Sequence, residues 1–197
     1  MNIFLAPNGT SIEYTRKNFE TILCGRPYDF VEPFLKPEEK EILSKYETLK
    51  VWGVKTSWYE PSWAKMRPGD YVLFYERKHF CYSAKIIIPK HNEELAKRLW
   101  HTGEYSCLFF VDSLKEINIP LEVINKLAGY ELKKLEQFIP LHKRGLAAIE
   151  EEYGGIEKFI DKYSIFKQAN HIEIKQKVAQ NLFVRMYHFL VHPFRKI

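Results

Sequence analysis

The hydrophobic positions of this chain fall into short dense runs in its first two thirds and into spaced stripes afterwards. Met1 to Pro7 reads as an apolar strand closed by the turn Pro7-Asn8-Gly9. Asn18 to Cys24 fits a short helix stopped by Gly25 and Pro27, and Lys36-Pro37-Glu38 opens a second helix reaching about Tyr46. Four runs rich in β-branched and aromatic residues then predict strands: Lys50 to Thr56, Tyr71 to Glu76, Phe80 to Ile88 and Tyr105 to Leu114. Arg67-Pro68-Gly69-Asp70 forms a turn before the second, and Arg77-Lys78-His79 a charged turn before the third. Glu93 to Trp100 reads as a helix between the third and fourth strands.

Past Leu114 the period changes. Helices are expected at Pro120 to Leu127, Leu146 to Tyr153 and Ile156 to Tyr163, with Gly129 and Gly154-Gly155 as stops. Ile174, Val178, Leu182, Met186 and Phe189 then form one helical apolar stripe. Irregularly spaced strands with helices between them favour an α+β body over a repeating βαβ pattern. There is no internal repeat and no low-complexity stretch.

Composition narrows the class. With 197 residues, 46% hydrophobic and 28% charged, the chain is globular. It has no apolar run of the roughly 20 residues that span a bilayer and no signal-peptide pattern, so a soluble cytoplasmic protein without membrane contact is expected. Cys24, Cys81 and Cys107 are widely spaced and odd in number, which suits buried free thiols rather than a zinc site or disulfides. No cofactor is implied.

The charge is unevenly placed. Net charge is +5, and residues 1–163 hold 24 cations and 24 anions, so the whole excess lies in the last 34 residues. Lys167, Lys175, Lys177 and Arg185 in that segment, with Lys78 in the charged turn, are candidate phosphate contacts for a polyanion. A solvated helix face is the competing reading of the tail. Phosphate-binding glycine loops, H-E-x-x-H and nucleophile elbows are all missing from the sequence. A binding module rather than an enzyme is the expectation.

Aromatic residues make up 15% of the chain. Most belong in a core, but Trp58 and Trp63 sit in a polar, proline-bearing connection (SWYEPSW), and Trp100 ends a charged helix. Exposed rings in such places serve to stack nucleobases.

The stretches VWGVKTSW, SWAKMRPGDYVLFYE, FCYSAKI and YSCLFFVDSLKEI together resemble the EVE domain of the PUA-like group, which also contains the YTH readers of N6-methyladenine. The match spans about Val51 to Gly129 and is strongest at W-x-K-M-x-P-G-D-Y-V-L-F-Y. The opening NIFLAPNG also resembles the N-terminal extension of such modules in archaeal McrB-type modification-dependent restriction systems. The resemblance implies a mixed β-barrel core with flanking helices and fades beyond about Gly129; with the elements read above, the domain is expected over residues 1–163, followed by a basic helical or linker segment at 164–197 that the resemblance does not explain. It implies a pocket for one extruded modified base. Lys55, Thr56 and Ser57 stand where YTH-type domains carry a Lys-Ser pair and a following polar residue. Trp63-Ala64 matches the first cage tryptophan and the small residue whose N–H meets the base edge. Trp100, or else Tyr105, would be the second cage aromatic, Asp112 the late acid, and Trp58 a further ring beside them.

The function so implied is a DNA-binding specificity module for a methylated base, with N6-methyladenine first and 5-methylcytosine second. Its partner would be double-stranded DNA, with motor and nuclease modules in cis or in trans. An RNA-binding PUA-like module, or a small-molecule or enzymatic domain using the same pocket, are the alternatives. The expectation that binds these residues together is a slot between Trp63 and Trp100.

Overall fold

Residues 1–7 and 22–165 are described in a computed structural model. The turn at Asn8-Gly9, most of the Asn18 to Cys24 helix and the tail bearing Lys167, Lys175, Lys177 and Arg185 lie outside these residues.

Two long strands organise the described chain. β5 (His79–His91) and β6 (Cys107–Pro120) pair antiparallel along nearly their whole length. Three register shifts interrupt that pairing, at Phe80/Tyr82, Ser83/Lys85 and Ile86/Ile88. Each extra residue bends and twists the ladder, so the sheet curls instead of lying flat. β3 (Thr48–Val54) adds to β6 on one side, followed by the two-residue β2 (Arg26–Pro27). β4 (Tyr71–Glu76) adds to β5 on the other side. β1 (Ile3–Pro7) lies parallel to β4, and β7 (Ile139–Pro140) closes the far edge against β1. The resulting seven-stranded order is β2-β3-β6-β5-β4-β1-β7, mixed in direction.

Helices cover the outside of this sheet at both ends. α1 (Tyr28–Val31), α2 (Pro37–Leu43) and α4 (Glu93–Trp100) belong to the β3 end. α5 (Leu121–Ala128), α6 (Lys143–Tyr153) and α7 (Ile156–Lys162) belong to the β1–β4 end. The period-two alternation of the strands divides the apolar residues accordingly. Along β3 and β6, Leu49, Val51, Leu108 and Phe110 face α1, α2 and α4, whereas Trp52, Val54, Cys107, Phe109 and Val111 face the concave side. Ile3, Leu5, Leu73, Phe80 and Ile119 pack with α5 to α7. A buried ion pair, Lys90 Nζ to Glu39 at 2.5 Å, ties α2 to β5.

The α+β expectation holds, and most elements stand within a few residues of their predicted places. The connection SWYEPSW differs: it is a helix, α3 (Thr56–Trp63). Pro61 lies inside it and removes the N–H that would bond the Ser57 carbonyl, which is why the sequence reads there as a loop. The cysteines are free, but Cys24 is exposed rather than buried. Cys81 donates its thiol hydrogen to the Phe74 carbonyl, and burial pushes that thiol up to about 12. Among the described residues, no helix is long and apolar enough to cross a membrane.

Candidate nucleic-acid interface

The concave side of the sheet is not filled where β3 ends. A cavity of about 650 Å³ opens there, with Trp52, Val54 and Phe138 in its wall. Trp52 is only 2% exposed and Phe138 only 1%, so they form its floor. Phe138 lies against Phe4 with rings 5.6 Å apart and 9° from parallel, and against Phe109 at 6.0 Å. Trp52 is backed by Phe74 at 4.8 Å.

From this floor a wall of rings rises to solvent. Tyr59 stands edge-on to Phe138 at 6.4 Å, and Trp58 edge-on to Tyr59 at 6.3 Å. Trp58 is 70% exposed, so the wall passes from fully buried to open within three side chains. Burial pushes the Tyr59 phenol above its ordinary value, with Lys55 opposing the shift, and the group stays neutral near pH 7. Its hydroxyl donates to the Glu136 carbonyl at 3.2 Å. Tyr75 and Tyr105 complete the aromatic lining.

The helix carrying Trp58 and Tyr59 is fixed at its start. Thr56 N donates to the Glu104 carbonyl at 3.0 Å, and Thr56 Oγ1 meets Ser106 Oγ at 2.6 Å. Ser106 in turn meets His91 Nε2 at 3.2 Å. α3 is thereby tied to the ends of both long strands. On the opposite rim, residues 129–138 run without regular structure until β7 stitches them to β1. The Asn125 side chain holds this segment by bonding both the N–H and the carbonyl of Leu132.

Cations ring the mouth. Among the described residues, Lys55, Arg77, Lys78, Lys133 and Lys134 line the cavity against a single acid, Glu136. Lys55 Nζ lies over the Trp58 ring at 5.5 Å and the Tyr105 ring at 5.7 Å, and bonds Glu104 at 3.0 Å. Lys134 pairs with Glu136 at 2.6 Å. Arg77 and Lys78 are the two central residues of the β4–β5 hairpin, with φ of 46° and 72°. Such a turn favours Asn-Gly, and a long side chain in the left-handed region costs about 1–2 kcal/mol per residue. Both cations are held at the rim against that cost.

The structure brings together only part of the set expected from sequence. Lys55, Trp58, Tyr105 and Lys78 line the cavity. Thr56 is engaged in positioning α3, and Ser57 is exposed on that helix without lining the cavity. The expected slot between Trp63 and Trp100 does not form. Trp63 packs at the edge of the concave core, donating Nε1–H to the Leu108 carbonyl at 2.8 Å. Trp100 is 4% exposed among Val51, Leu99 and Phe110 on the other face of the sheet. Each indole ends a helix, and the two helices pack against opposite faces of the sheet; α4 buries Leu95, Ala96, Leu99 and Trp100 as one apolar face. The Ala64 N–H is already spent on the Glu60 carbonyl at 2.8 Å. Asp112 accepts from the Tyr46 hydroxyl at 2.9 Å, on the stretch of β6 that pairs with Lys85 rather than at the Cys107 end beside the cavity.

Sequence reasoning missed Trp52, Tyr59, Tyr75, Phe138, Arg77, Lys133 and Lys134 as lining residues. Trp52 and Tyr75 read as strand core, and Lys133-Lys134 lies in a segment with no motif. The one usable signal was the adjacent cation pair Arg77-Lys78 in a tight turn. Among the described residues, no group of three or more His, Cys, Asp or Glu side chains could hold a metal ion.

No family model matches the sequence, and no curated protein matches it. Among solved structures, the N-terminal domain of Thermococcus gammatolerans McrB, bound to m5C DNA, matches with a TM-score of 0.58 and 19% identity, over 77% of this chain and 96% of that one. Rpa0253 from Rhodopseudomonas palustris matches at a TM-score of 0.32 and 16% identity, over 64% of this chain and 71% of that one. At 19% identity the likeness to McrB is one of fold, and the curled mixed sheet with its flanking helices is the PUA-like fold of the McrB N-terminal domain.

Proposed function

We propose that this chain binds duplex DNA carrying a modified base and takes that base, flipped out of the stack, into the cavity between α3 and residues 133–138. The observation that carries this reading is the union of an aromatic floor and wall with a cationic mouth. Extruding a base costs a few kcal/mol of stacking and pairing. Stacking on protein rings returns about 1–3 kcal/mol per base, and phosphate contacts by rim cations add affinity independent of sequence. Trp58, Tyr59, Trp52 and Phe138 supply the stacking surface; Lys55, Lys78, Arg77, Lys133 and Lys134 supply the rim.

The fold is that of a domain solved on m5C DNA, which moves 5-methylcytosine ahead of N6-methyladenine as the base to test first. A methyl group adds only ~1 kcal/mol through its own burial. Larger discrimination comes from polar edges of the unmodified base left unpaired in an apolar pocket. In this role the chain is the targeting part of a modification-dependent restriction system, with motor and nuclease functions in other modules.

The direct test is a fluorescence-anisotropy titration of one duplex sequence carrying cytosine, 5-methylcytosine or N6-methyladenine at a single position. Preference for one modified duplex by about tenfold or more supports the reading. Equal affinity for modified and plain duplexes overturns it. A matched RNA competitor that displaces the DNA at equal concentration would reassign the module to RNA, since only the 2′-hydroxyl separates the two.

A further inference from the structure

Among the described residues three tyrosines line the cavity, and their side chains are engaged differently. The Tyr59 hydroxyl is spent on the Glu136 carbonyl at 3.2 Å. Tyr105 lies beneath Lys55 at 5.7 Å and against the Trp100 ring at 6.4 Å. The Tyr75 hydroxyl makes no hydrogen bond among the described residues, although Tyr75 is only 7% exposed. Nor is it sealed: Trp100 Nε1 is the one fully buried, unpartnered side-chain polar atom among the described residues, so solvent still reaches the Tyr75 oxygen.

Tyr75 is placed to meet a guest of the cavity. The register shift between Phe74 and Tyr75 re-aims the end of β4. The Tyr75 ring is backed by Phe80 at 5.4 Å, and Tyr75 stands in register with Pro7 of β1, which also lines the cavity. Across the cavity, the Lys134 ammonium is raised above its ordinary value by its bond to Glu136 first, and also by Tyr75. The phenol oxygen therefore lies within electrostatic reach of the 133–138 segment. A buried phenol beside a cavity exchanges hydrogen bonds with solvent until a guest displaces that solvent, and a guest that does not reproduce those bonds loses affinity.

We infer that the Tyr75 hydroxyl takes the polar edge of the extruded base, while Trp52 and Phe138 take its apolar surface. The inference rests on the proposed base-binding role of the cavity and adds a hydrogen-bonding residue to its stacking rings. Bases present ring nitrogens and carbonyls that accept and amino groups that donate. A neutral hydroxyl answers either, with one O–H and two lone pairs. Phosphate is the poorer partner, because it would leave the cations of the mouth for an uncharged group beside an apolar floor.

The experiment compares the full chain with Tyr75→Phe by fluorescence anisotropy, on plain duplex and on duplexes carrying 5-methylcytosine or N6-methyladenine at one position. Tyr75→Phe should lose about fivefold on the modified duplex that wild type prefers, the worth of one neutral hydrogen bond, and almost nothing on plain duplex. The slope of log affinity against log salt should stay the same, since no cation is removed. Thermal melting gives a readout without DNA: deleting a hydroxyl that has no partner in the fold should leave Tm within about 3 °C of wild type. A loss below about threefold on the modified duplex, or an equal loss on plain duplex, overturns the inference and leaves the modified-base function standing. A larger fall in Tm also overturns it, because the hydroxyl would then be spent inside the protein. If wild type binds plain and modified duplexes alike, the modified-base function fails and the inference falls with it.

Discussion

The two faces of the sheet where β3 meets β6 each carry a tryptophan, and the two have opposite fates. On the outer face Trp100 is sealed by α4, with Val51, Leu99 and Phe110 around it and its indole N–H left without a hydrogen-bond partner. On the concave face Trp52 is equally buried from beneath, yet the space above it is empty and the next rings, Tyr59 and Trp58, climb into solvent. Local chemistry is much the same on both sides. The difference is whether a helix buries an apolar face against the strands, as α4 does, or buries none of its own residues, as α3 does. An aromatic-rich face becomes a binding surface only where the covering element leaves it uncovered and charged residues collect around the gap.

Substitutions on the two faces should therefore separate stability from binding. The largest effect is expected from Trp100→Ala, about 3–5 kcal/mol of stability in urea unfolding, because it empties a closed core site. Trp100→Phe should cost far less than the alanine change, since it also removes a buried N–H that has no partner. Neither change should alter the ratio of affinities for modified and plain DNA in the folded fraction.

Trp58→Ala is the counterpart on the open face. Its stability should stay within about 0.5 kcal/mol of wild type. Its affinity for the modified duplex should fall by about 1–3 kcal/mol, the worth of one stacking ring, as read by anisotropy. A Trp58→Ala protein with unchanged affinity would dismantle the contrast between the faces.

The rim turn should trade the two properties against each other. Replacing Arg77-Lys78 by Asn-Gly relaxes two left-handed residues and should raise stability by about 1–2 kcal/mol. The same change should lower the slope of log affinity against log salt by about two, one for each lost cation.

The smallest effect is expected far from the cavity. Tyr46→Phe should cost about 1 kcal/mol near neutral pH by freeing Asp112, with no change in DNA affinity. Burial, then the bond to Asp112 and that carboxylate's charge, push the Tyr46 phenol up from 10.0 to about 12. A raised value in the folded state means folding favours the neutral phenol. The contribution is whole below pH 10 and is lost as pH climbs towards 12. Wild type should accordingly lose stability relative to Tyr46→Phe across that window in thermal melts.

The elements were more legible in the sequence than the site was. Glu93 to Trp100 was delimited because Asn92 caps its start by accepting from Leu95 N and His101 ends it in the left-handed region. Tyr71 to Glu76 was delimited by turns on both sides. Such boundaries are written locally. The cavity is assembled from Pro7, the end of β3, α3, the β4–β5 hairpin, Tyr105 and residues 133–138, and no local pattern records that these meet. Trp100 was drawn towards the site by its chemistry and its charged neighbours, but the apolar spacing of Leu95, Ala96, Leu99 and Trp100 already marked it as a core residue. Trp58 was found because a large ring among polar neighbours is costly to leave bare.

Gly53 gives the floor of the cavity a property that no lining side chain provides. A Cβ at that position would stand 2.6 Å from the Tyr105 carbonyl and 2.7 Å from the Trp100 ring, so the strand backbone rests directly on the indole behind it. Clamped between Trp100 on one side and Trp52 with Phe74 on the other, this stretch has little room to breathe. A receptor that is already in its final shape gives the incoming nucleotide nothing to wait for on the protein side. The bimolecular rate constant should then track how readily the DNA itself opens, rising when a mismatch is placed opposite the target base, while the dissociation rate stays nearly the same.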